Sequence, residues 1–409
     1  IITLSECLDL TIQYSREVLL AQEGIKQSEG LYIQERSAAF PKLTGSAGLI
    51  HGRDESFAVV SNAPVEVDQY QTSLNLTQAL FTWGQIGAAI NAAKYDRASA
   101  GHLLHQASQM ALRNAAISFY DLVLTLELER VARDNMAQKQ RYLDETQRKH
   151  QMGVATDYDV LAARVALANA YPELTRAGND IRLARDRLRY YMGIQDSFEV
   201  SGDLACRIVA PAPLDDIIDQ AVQRRPEMAY YKSQVGVYQE LATVAAAGDK
   251  PRLDFRANLG WTSYDNMNFD YPGQAWNAGI YLSFPIFDGF KTRGSLIQAK
   301  SRLSSAEIQK NKLMDTIALE ARDALNQTDQ AIEIVKAMEA TLTQAERLLQ
   351  MAEAGYRAGV KTKLEVDDAE FNLLSVRSNL AKAKRDYLSA QIQLLWITGA
   401  DLQTDLPAF

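Results

Sequence analysis

The chain is written twice, and that repeat constrains its fold more than any local signal. Leu4-Ser-Glu-Cys-Leu-Asp resembles Leu214-Asp-Asp-Ile-Ile-Asp, an offset of 214 − 4 = 210, and Pro41-Lys-Leu recurs at the same offset as Pro251-Arg-Leu. Farther on the offset is 206: Phe81 matches Phe287 and Ala93-Lys94 matches Ala299-Lys300. Gly153-Val-Ala-Thr156 then matches Gly359-Val-Lys-Thr362, and Met192-Gly193 matches Thr398-Gly399. The one length change, 210 − 206 = 4 residues, therefore falls between Pro41 and Phe81, where a loop tolerates it. The repeats run over about 1–200 and 210–409.

Both halves follow one plan. Residues 3–38 and 214–248 read as helix, free of internal proline except Pro226. Alternating segments follow, then long helices at about 86–152 and 291–358. A glycine (Gly153, Gly359) precedes the final helices at about 157–192 and 363–398. In the last helix Val366, Ala369, Leu373, Val376, Leu380, Ala383, Tyr387, Ala390, Leu394 and Ile397 step by three and four. The positions 206 earlier are all apolar too. So much alanine on a seam calls for closely approaching helices. Pro172 is expected to kink the first-half copy, because it removes a backbone hydrogen bond. A helix of about 67 residues extends roughly 100 Å. Each half can thus pair one long helix with two shorter ones stacked end to end.

Between the helices the period drops to two. Leu253, Phe255, Ala257, Leu259 and Trp261 alternate with Asp254, Arg256, Asn258 and Gly260. Trp276, Ala278, Ile280 and Leu282 alternate with Asn277, Gly279, Tyr281 and Ser283. Tyr70, Thr72, Leu74 and Leu76 do so in the first half, with a weaker strand from Leu43. Strands of about ten residues can cross a bilayer when tilted. Polar loops, 51–68 with Pro64 and 263–275 with Pro272, join them into two hairpins. Four strands leave open edges, which hydrocarbon does not tolerate, so closure needs copies of the chain. Two copies give eight strands, packed shut by side chains; three give twelve, wide enough for water. Trp83, Trp261 and Trp276 lie in or beside these strands, as in the aromatic girdles of membrane barrels.

Composition removes other classes. A net charge of −8 without a basic tract argues against nucleic-acid binding. Basic clusters such as Arg182-Leu-Ala-Arg-Asp-Arg-Leu-Arg189 are interrupted by acid. Neither a nucleophile elbow, a phosphate loop nor HExxH occurs, so no enzyme and no cofactor are expected. His102 and His105 stand i, i+3 with no third ligand nearby, so no metal site is assigned. Cys7 and Cys206 are too few for a disulfide scaffold, though a single bridge between them stays open. Ile1 follows no visible signal peptide, as a processed chain would read. A soluble periplasmic coiled-coil scaffold or adaptor, without a pore, is the alternative reading.

With the tandem halves, the Pro-Lys-Leu and Pro-Arg-Leu strand starts and Pro285-Ile-Phe-Asp-Gly289, the sequence resembles the TolC-type outer-membrane efflux channel family over essentially its whole length. The helix-tip motifs Gly153-Val-Ala-Thr-Asp-Tyr-Asp and Gly359-Val-Lys-Thr-Lys-Leu-Glu-Val complete the match. The resemblance implies a mixed α and β homotrimer in the outer membrane of a Gram-negative bacterium. Hairpins 42–80 and 252–286 would supply four strands to a twelve-stranded β-barrel. Segments 1–41, 84–194, 214–251 and 290–398 would form a periplasmic α-helical barrel, with 195–213 and 399–409 as an equatorial collar. Ile1 is not a cysteine, so the lipidated branch of that family is not expected. The implied role is a passive exit duct of a tripartite efflux or type I secretion system. Its implied partners are a periplasmic adaptor and an inner-membrane pump of RND, ABC or MFS type.

At the tips the same resemblance implies an acidic pore gate at Glu365 and Asp368, the first being aspartate in the usual pattern. Three copies would crowd six carboxylates together, favouring cations and raising some carboxyl pKa values. It implies a helix-tip lock at Tyr158, Asp159, Tyr356 and Lys361, with Lys361 where arginine is usual. Lysine lacks the bidentate fork of arginine, so this lock is expected to bond differently. The tip turns Gly153, Val154, Gly359 and Val360 are the implied adaptor-docking points. Beside the seam, Glu365, Asp368, Asn372, Ser375, Asn379 and Lys382 form one polar stripe.

Overall fold

The computed structural model describes residues 1–54, 65–264 and 273–406. The loop prolines Pro64 and Pro272, and the end of the 399–409 segment, lie outside the described residues. In chain order the elements are α1 (Leu4–Tyr14), α2 (Arg16–Ser37), β1 (Lys42–Asp54), β2 (Val65–Phe81), α3 (Gln85–Gln151) and α4 (Asp157–Met192). The second half repeats them as α5 (Leu214–Arg224), α6 (Pro226–Ala246), β3 (Arg252–Tyr264), β4 (Gln274–Ser283), α7 (Lys291–Arg357) and α8 (Lys363–Ile397). A short α9 (Leu402–Asp405) ends the described chain. The helices α3 and α7 are both 67 residues long. β1 and β3 share the 210 offset at both ends (252 − 42 and 264 − 54), so the length change falls after Asp54.

One expectation is corrected in both halves. The first helix of each half is broken, at Ser15 and at Arg225, where ψ is 131° and 129°. Pro226 explains the second break, because its ring disfavours the helical region for the residue before it. Ser15 carries no such constraint; its hydroxyl donates to the Glu17 carboxylate at 2.8 Å, beside the kinked backbone. The two breaks are again 225 − 15 = 210 residues apart. Pro172, by contrast, lies inside α4 without ending it.

The contacts divide the chain into two compact units: Ile1–Glu23 with His102–Met228 and Lys312–Phe409, and Gly24–Gly101 with Ala229–Asn311. The first unit contains the main core, where Phe119, Leu122, Leu188, Met192, Leu388 and Ile392 are buried. Of the ten seam residues on α8, nine are buried and Val376 is half-buried, so the three-four spacing does mark the packed face. Residues 195–213, which lie between the two repeats, are stitched to this core. Ile2 and Val200 form a parallel bridge. Phe198 and Leu204 enter the core. The buried Tyr387 hydroxyl accepts from Val209 N–H at 3.0 Å and donates to the Arg207 carbonyl at 3.0 Å. Gln109, buried on α3, donates to Asp401 at 2.9 Å and accepts from Leu402 N–H at 3.0 Å, which holds the chain's last helix. Cys7 and Cys206 are free thiols, and burial pushes the Cys7 pKa up to about 12.

Each half also ends on a glycine in the left-handed region: Gly193 (φ 73°) and Gly399 (φ 71°). A Cβ on Gly193 would run into the Tyr14 carbonyl, and one on Gly399 would come within 2.8 Å of Arg224 Cβ. The glycine that closes each half is thus fitted against the broken helix that opens it. Nearby, Arg225 is 4% exposed and is held by Glu227 at 3.1 Å and Glu320 at 2.5 Å. Two guanidinium groups lie over the Trp396 rings, Arg113 at 4.5 Å and Arg225 at 4.8 Å from the centroid. Burial and hydrogen bonding of this kind make the site costly to rearrange.

The second unit contains one antiparallel sheet in the order β1-β2-β3-β4. Its register sorts the side chains by face. Leu43 opposes Leu76, Leu74 opposes Leu259, and Leu259 opposes Trp276. Phe255 opposes Ile280 and Leu253 opposes Leu282 on the same side. The other face has Ser46 opposite Ser73, Asn75 opposite Asn258, and Asn258 opposite Asn277. There Ser46 and Ser73 hydroxyls bond at 2.8 Å, Asn75 donates to Ser73 at 3.2 Å, and Asn258 donates to Asn75 at 2.7 Å. This ladder ties three strands through polar side chains, while Leu43, Trp276, Ile280 and Leu282 stay exposed opposite it.

Candidate functional site

The two helix tips, α3 to α4 and α7 to α8, are built from the same devices within the first unit. Gly153 (φ 74°) and Gly359 (φ 73°) turn the chain in the left-handed region. Val154 N–H bonds the Lys149 carbonyl at 2.9 Å, and Val360 N–H bonds the Gly355 carbonyl at 2.9 Å. Gly153 N–H and Gly359 N–H bond His150 and Tyr356 carbonyls at 2.9 and 3.0 Å. These paired bonds cap the ends of α3 and α7. A reciprocal capping box then starts the next helix. Thr156 hydroxyl accepts from Asp159 N–H at 3.3 Å, and the Asp159 carboxylate accepts from Thr156 N–H at 2.8 Å. Thr362 and Glu365 do the same at 3.3 and 2.8 Å. A Cβ on Gly153 or Gly359 would meet nothing within 4 Å. The following valines project into the open, Val154 at 75% and Val360 at 78% exposure.

The chemistry of the tips differs although the backbone repeats. Lys361 on the second tip is Ala155 on the first, since 361 − 206 = 155. Lys361 Nζ donates to the Glu365 carboxylate. Gly355 makes room for it: a Cβ there would strike the Lys361 stem. That hydrogen bond, with the Thr362 N–H, brings the Glu365 pKa down to about 2. Asp159 is also lowered, by Thr156 backbone and hydroxyl. Within one chain, therefore, the direction at Glu365 is opposite to that expected from crowded carboxylates. One turn on, Asp368 is exposed and has no hydrogen bond or ion pair among the described residues.

Of the residues assigned to gate and lock, the structure joins Lys361 to Glu365. Tyr158, Asp159 and Tyr356 form no hydrogen bond or ion pair with Lys361, Glu365 or Asp368 among the described residues. Tyr158 is 79% exposed, and Asn372, Asn379 and Lys382 of the polar stripe are exposed as well. A second polar group, on the other side of the seam, escaped the sequence reading. Lys139 on α3 bonds Glu370 on α8 at 2.8 Å, and Lys363 pairs with Asp367 at 3.0 Å. Lys363 Nζ also lies 4.0 Å from the centroid of the Tyr142 ring, whose phenol pKa burial raises. Asp367 and Glu370 each follow a buried seam residue, Val366 and Ala369. That placement was a usable signal, because a residue next to a seam lies at the rim of the helix contact. These bonds couple α3 to α8 just behind the tip.

The profile of the family described as outer membrane efflux protein matches residues 7–194 and 217–400, once in each half. The chain is 26% identical over 394 residues to the alkaline protease secretion protein AprF of Pseudomonas aeruginosa, covering 91% of this chain and 79% of that protein. It is 24% identical over 402 residues to the outer membrane protein TolC of Escherichia coli, with 92% and 78% covered. Among solved structures, the CmeC outer membrane channel of Campylobacter jejuni superposes with a TM-score of 0.85 at 17% identity, over 98% of this chain and 88% of that one. The outer membrane protein VceC of Vibrio cholerae gives 0.82 at 20% identity, over 98% and 96%.

Proposed function

Because the chain belongs to the outer membrane efflux protein family, we propose that it is the passive outer-membrane exit duct of a tripartite efflux or secretion system. The members of this family are outer-membrane channels and not enzymes. The observation that carries the reading is the two-faced sheet with unpaired outer strands. Among the described residues, β1 and β4 each pair with one neighbour only. An apolar face with open edges is stable in hydrocarbon only if the edges close on other strands. Three chains would supply 3 × 4 = 12 strands, with the leucine and tryptophan face outward and the serine and asparagine ladder inward. A pore-free scaffold would gain nothing from an apolar face continuous across four strands.

In this reading 42–80 and 252–286 are the barrel hairpins, and 1–41, 84–194, 214–251 and 290–398 line a periplasmic helical duct. Residues 195–213 and 399–409 form its collar, a role supported by the stitching of 198–209 onto the core. Glu365 and Asp368 form the acidic gate, and Val154 and Val360 offer matched apolar knobs to a periplasmic adaptor. An inner-membrane pump supplies the energy, and the secretion and export names of its relatives suit such a partner. Arginine at a lipid-facing midplane position costs roughly 2–4 kcal/mol. Ile280→Arg should therefore abolish outer-membrane assembly, while Asn277→Arg, on the other face of the same strand, should assemble. Fractionation of cells expressing each variant checks this, and equal assembly of the two would overturn the face assignment.

A further inference from the structure

The polar face of the sheet is uncharged over most of its described length, and a charged cluster stands at its end next to the helices. Arg252 Nε donates to one oxygen of Asp254 at 2.8 Å, and Arg256 approaches the other at 3.4 Å. The Asp254 side chain is 5% exposed, whereas both arginine side chains are about half exposed. Arg256 also lies 5.1 Å from the centroid of Tyr281, on the neighbouring strand. Lys42 opposes Thr77, which in turn opposes Arg256, so its exposed amine shares this face and this end. Three cations against one carboxylate leave a charge of +2. Beyond that cluster, over residues 44–52, 69–75, 258–262 and 275–279, the polar side chains of this face are Thr44, Ser46, Gln69, Gln71, Ser73, Asn75, Asn258, Thr262 and Asn277, none of them ionised.

A buried carboxylate between two arginines holds their forks in place, and the tyrosine ring fixes one from below. The outward N–H groups are then preset for a further acceptor without the entropy loss of ordering two long side chains. Arginine in this state is the side chain best matched to planar and tetrahedral oxyanions. We infer that Arg252 and Arg256, braced by Asp254 and assisted by Lys42, form an anion-binding station in the barrel lumen that takes the carboxylate or phosphate group of a passing solute. The inference rests on the proposed inward orientation of the polar face. Three copies would make a basic belt at the sheet's helix-side end, of opposite sign to the acidic gate at the tips. A solute bearing both charges would then meet two stations of opposite preference.

Pyrophosphate added from the sheet side of purified channels in planar bilayers is the probe. Wild-type current should be blocked, and Arg252→Gln/Arg256→Gln should weaken the block about tenfold, the factor expected from losing a charge-assisted contact. The triple variant that adds Asp254→Asn leaves no buried charge unpaired and should behave the same. Arg252→Lys/Arg256→Lys, which preserves charge, should retain most of the block. Ser46→Cys in a Cys7→Ala/Cys206→Ala background reports separately on the face, by labelling with a membrane-impermeant thiol reagent. A labelled cysteine together with unchanged block in the neutral variants overturns the station alone. An unlabelled cysteine in assembled channels overturns the inward face and the station with it.

Discussion

The two ends of the helical hairpins use the same glycine turn under opposite constraints. At the tips, Gly153 and Gly359 stand in open space, and the bonds around them are local to each turn. At the far ends, Gly193 and Gly399 have nearly the same φ but are pressed against the broken helices at Tyr14 and Arg224. Around the second lie the buried Arg225 pairs and the stacked Trp396. A repeat thus preserves backbone geometry at both ends, while only at the far ends is the turning glycine itself packed against a neighbouring helix; at the tips the ties between helices, such as Lys139 to Glu370, lie behind the turns. In the proposed duct, the end whose glycine turns stand in open space is the end able to move at lower cost.

The largest effect should follow from filling the packed end. Gly193→Ala and Gly399→Ala combine the left-handed penalty of roughly 1–2 kcal/mol with overpacking of roughly 1–3 kcal/mol. Gly153→Ala and Gly359→Ala should show the first term only. Thermal unfolding of the four purified variants measures the difference, and equal losses would remove the contrast between the ends.

Next in size is charge at the open end. Glu365→Gln with Asp368→Asn should lower cation selectivity several-fold in planar bilayers, because a ring of carboxylates concentrates cations. The pH dependence sharpens this. Glu365 has its pKa lowered to about 2, so its cap and its charge are complete above the ordinary carboxylate value and are lost as pH falls toward 2. Lys361 is the largest cause of that shift. In Lys361→Ala channels selectivity should consequently fade at a higher pH than in wild type. Superimposable titrations would show that the Lys361–Glu365 pair does not persist in the assembled channel.

Much of the fold was legible because the repeat and the two periods are global signals. The α8 seam and the face-sorted strands follow from spacing alone. The break at Ser15 was not, since no proline marks it; only its counterpart before Pro226 announces a break. The stitching of residues 198–209 was hidden for another reason. Its contacts, such as Tyr387 with Arg207 and Val209, join residues far apart in sequence without periodicity. At the tips the spacings Thr156-x-x-Asp159 and Thr362-x-x-Glu365 encode capping boxes, and Glu365 also falls on the polar stripe, so one residue carries two signals. The rim pairs of Lys139 and Lys363 use Glu370 and Asp367, one position beyond the seam on the side opposite the polar stripe.

In the proposed duct the tips move and the glycine-packed end stays fixed. Single-channel conductance of a Lys361→Ala/Asp159→Ala variant in planar bilayers tests it most directly. Loss of the Lys361–Glu365 pair and of the α4 capping box should loosen the tips and raise conductance above wild type. Conductance unchanged in a correctly assembled variant would contradict the account.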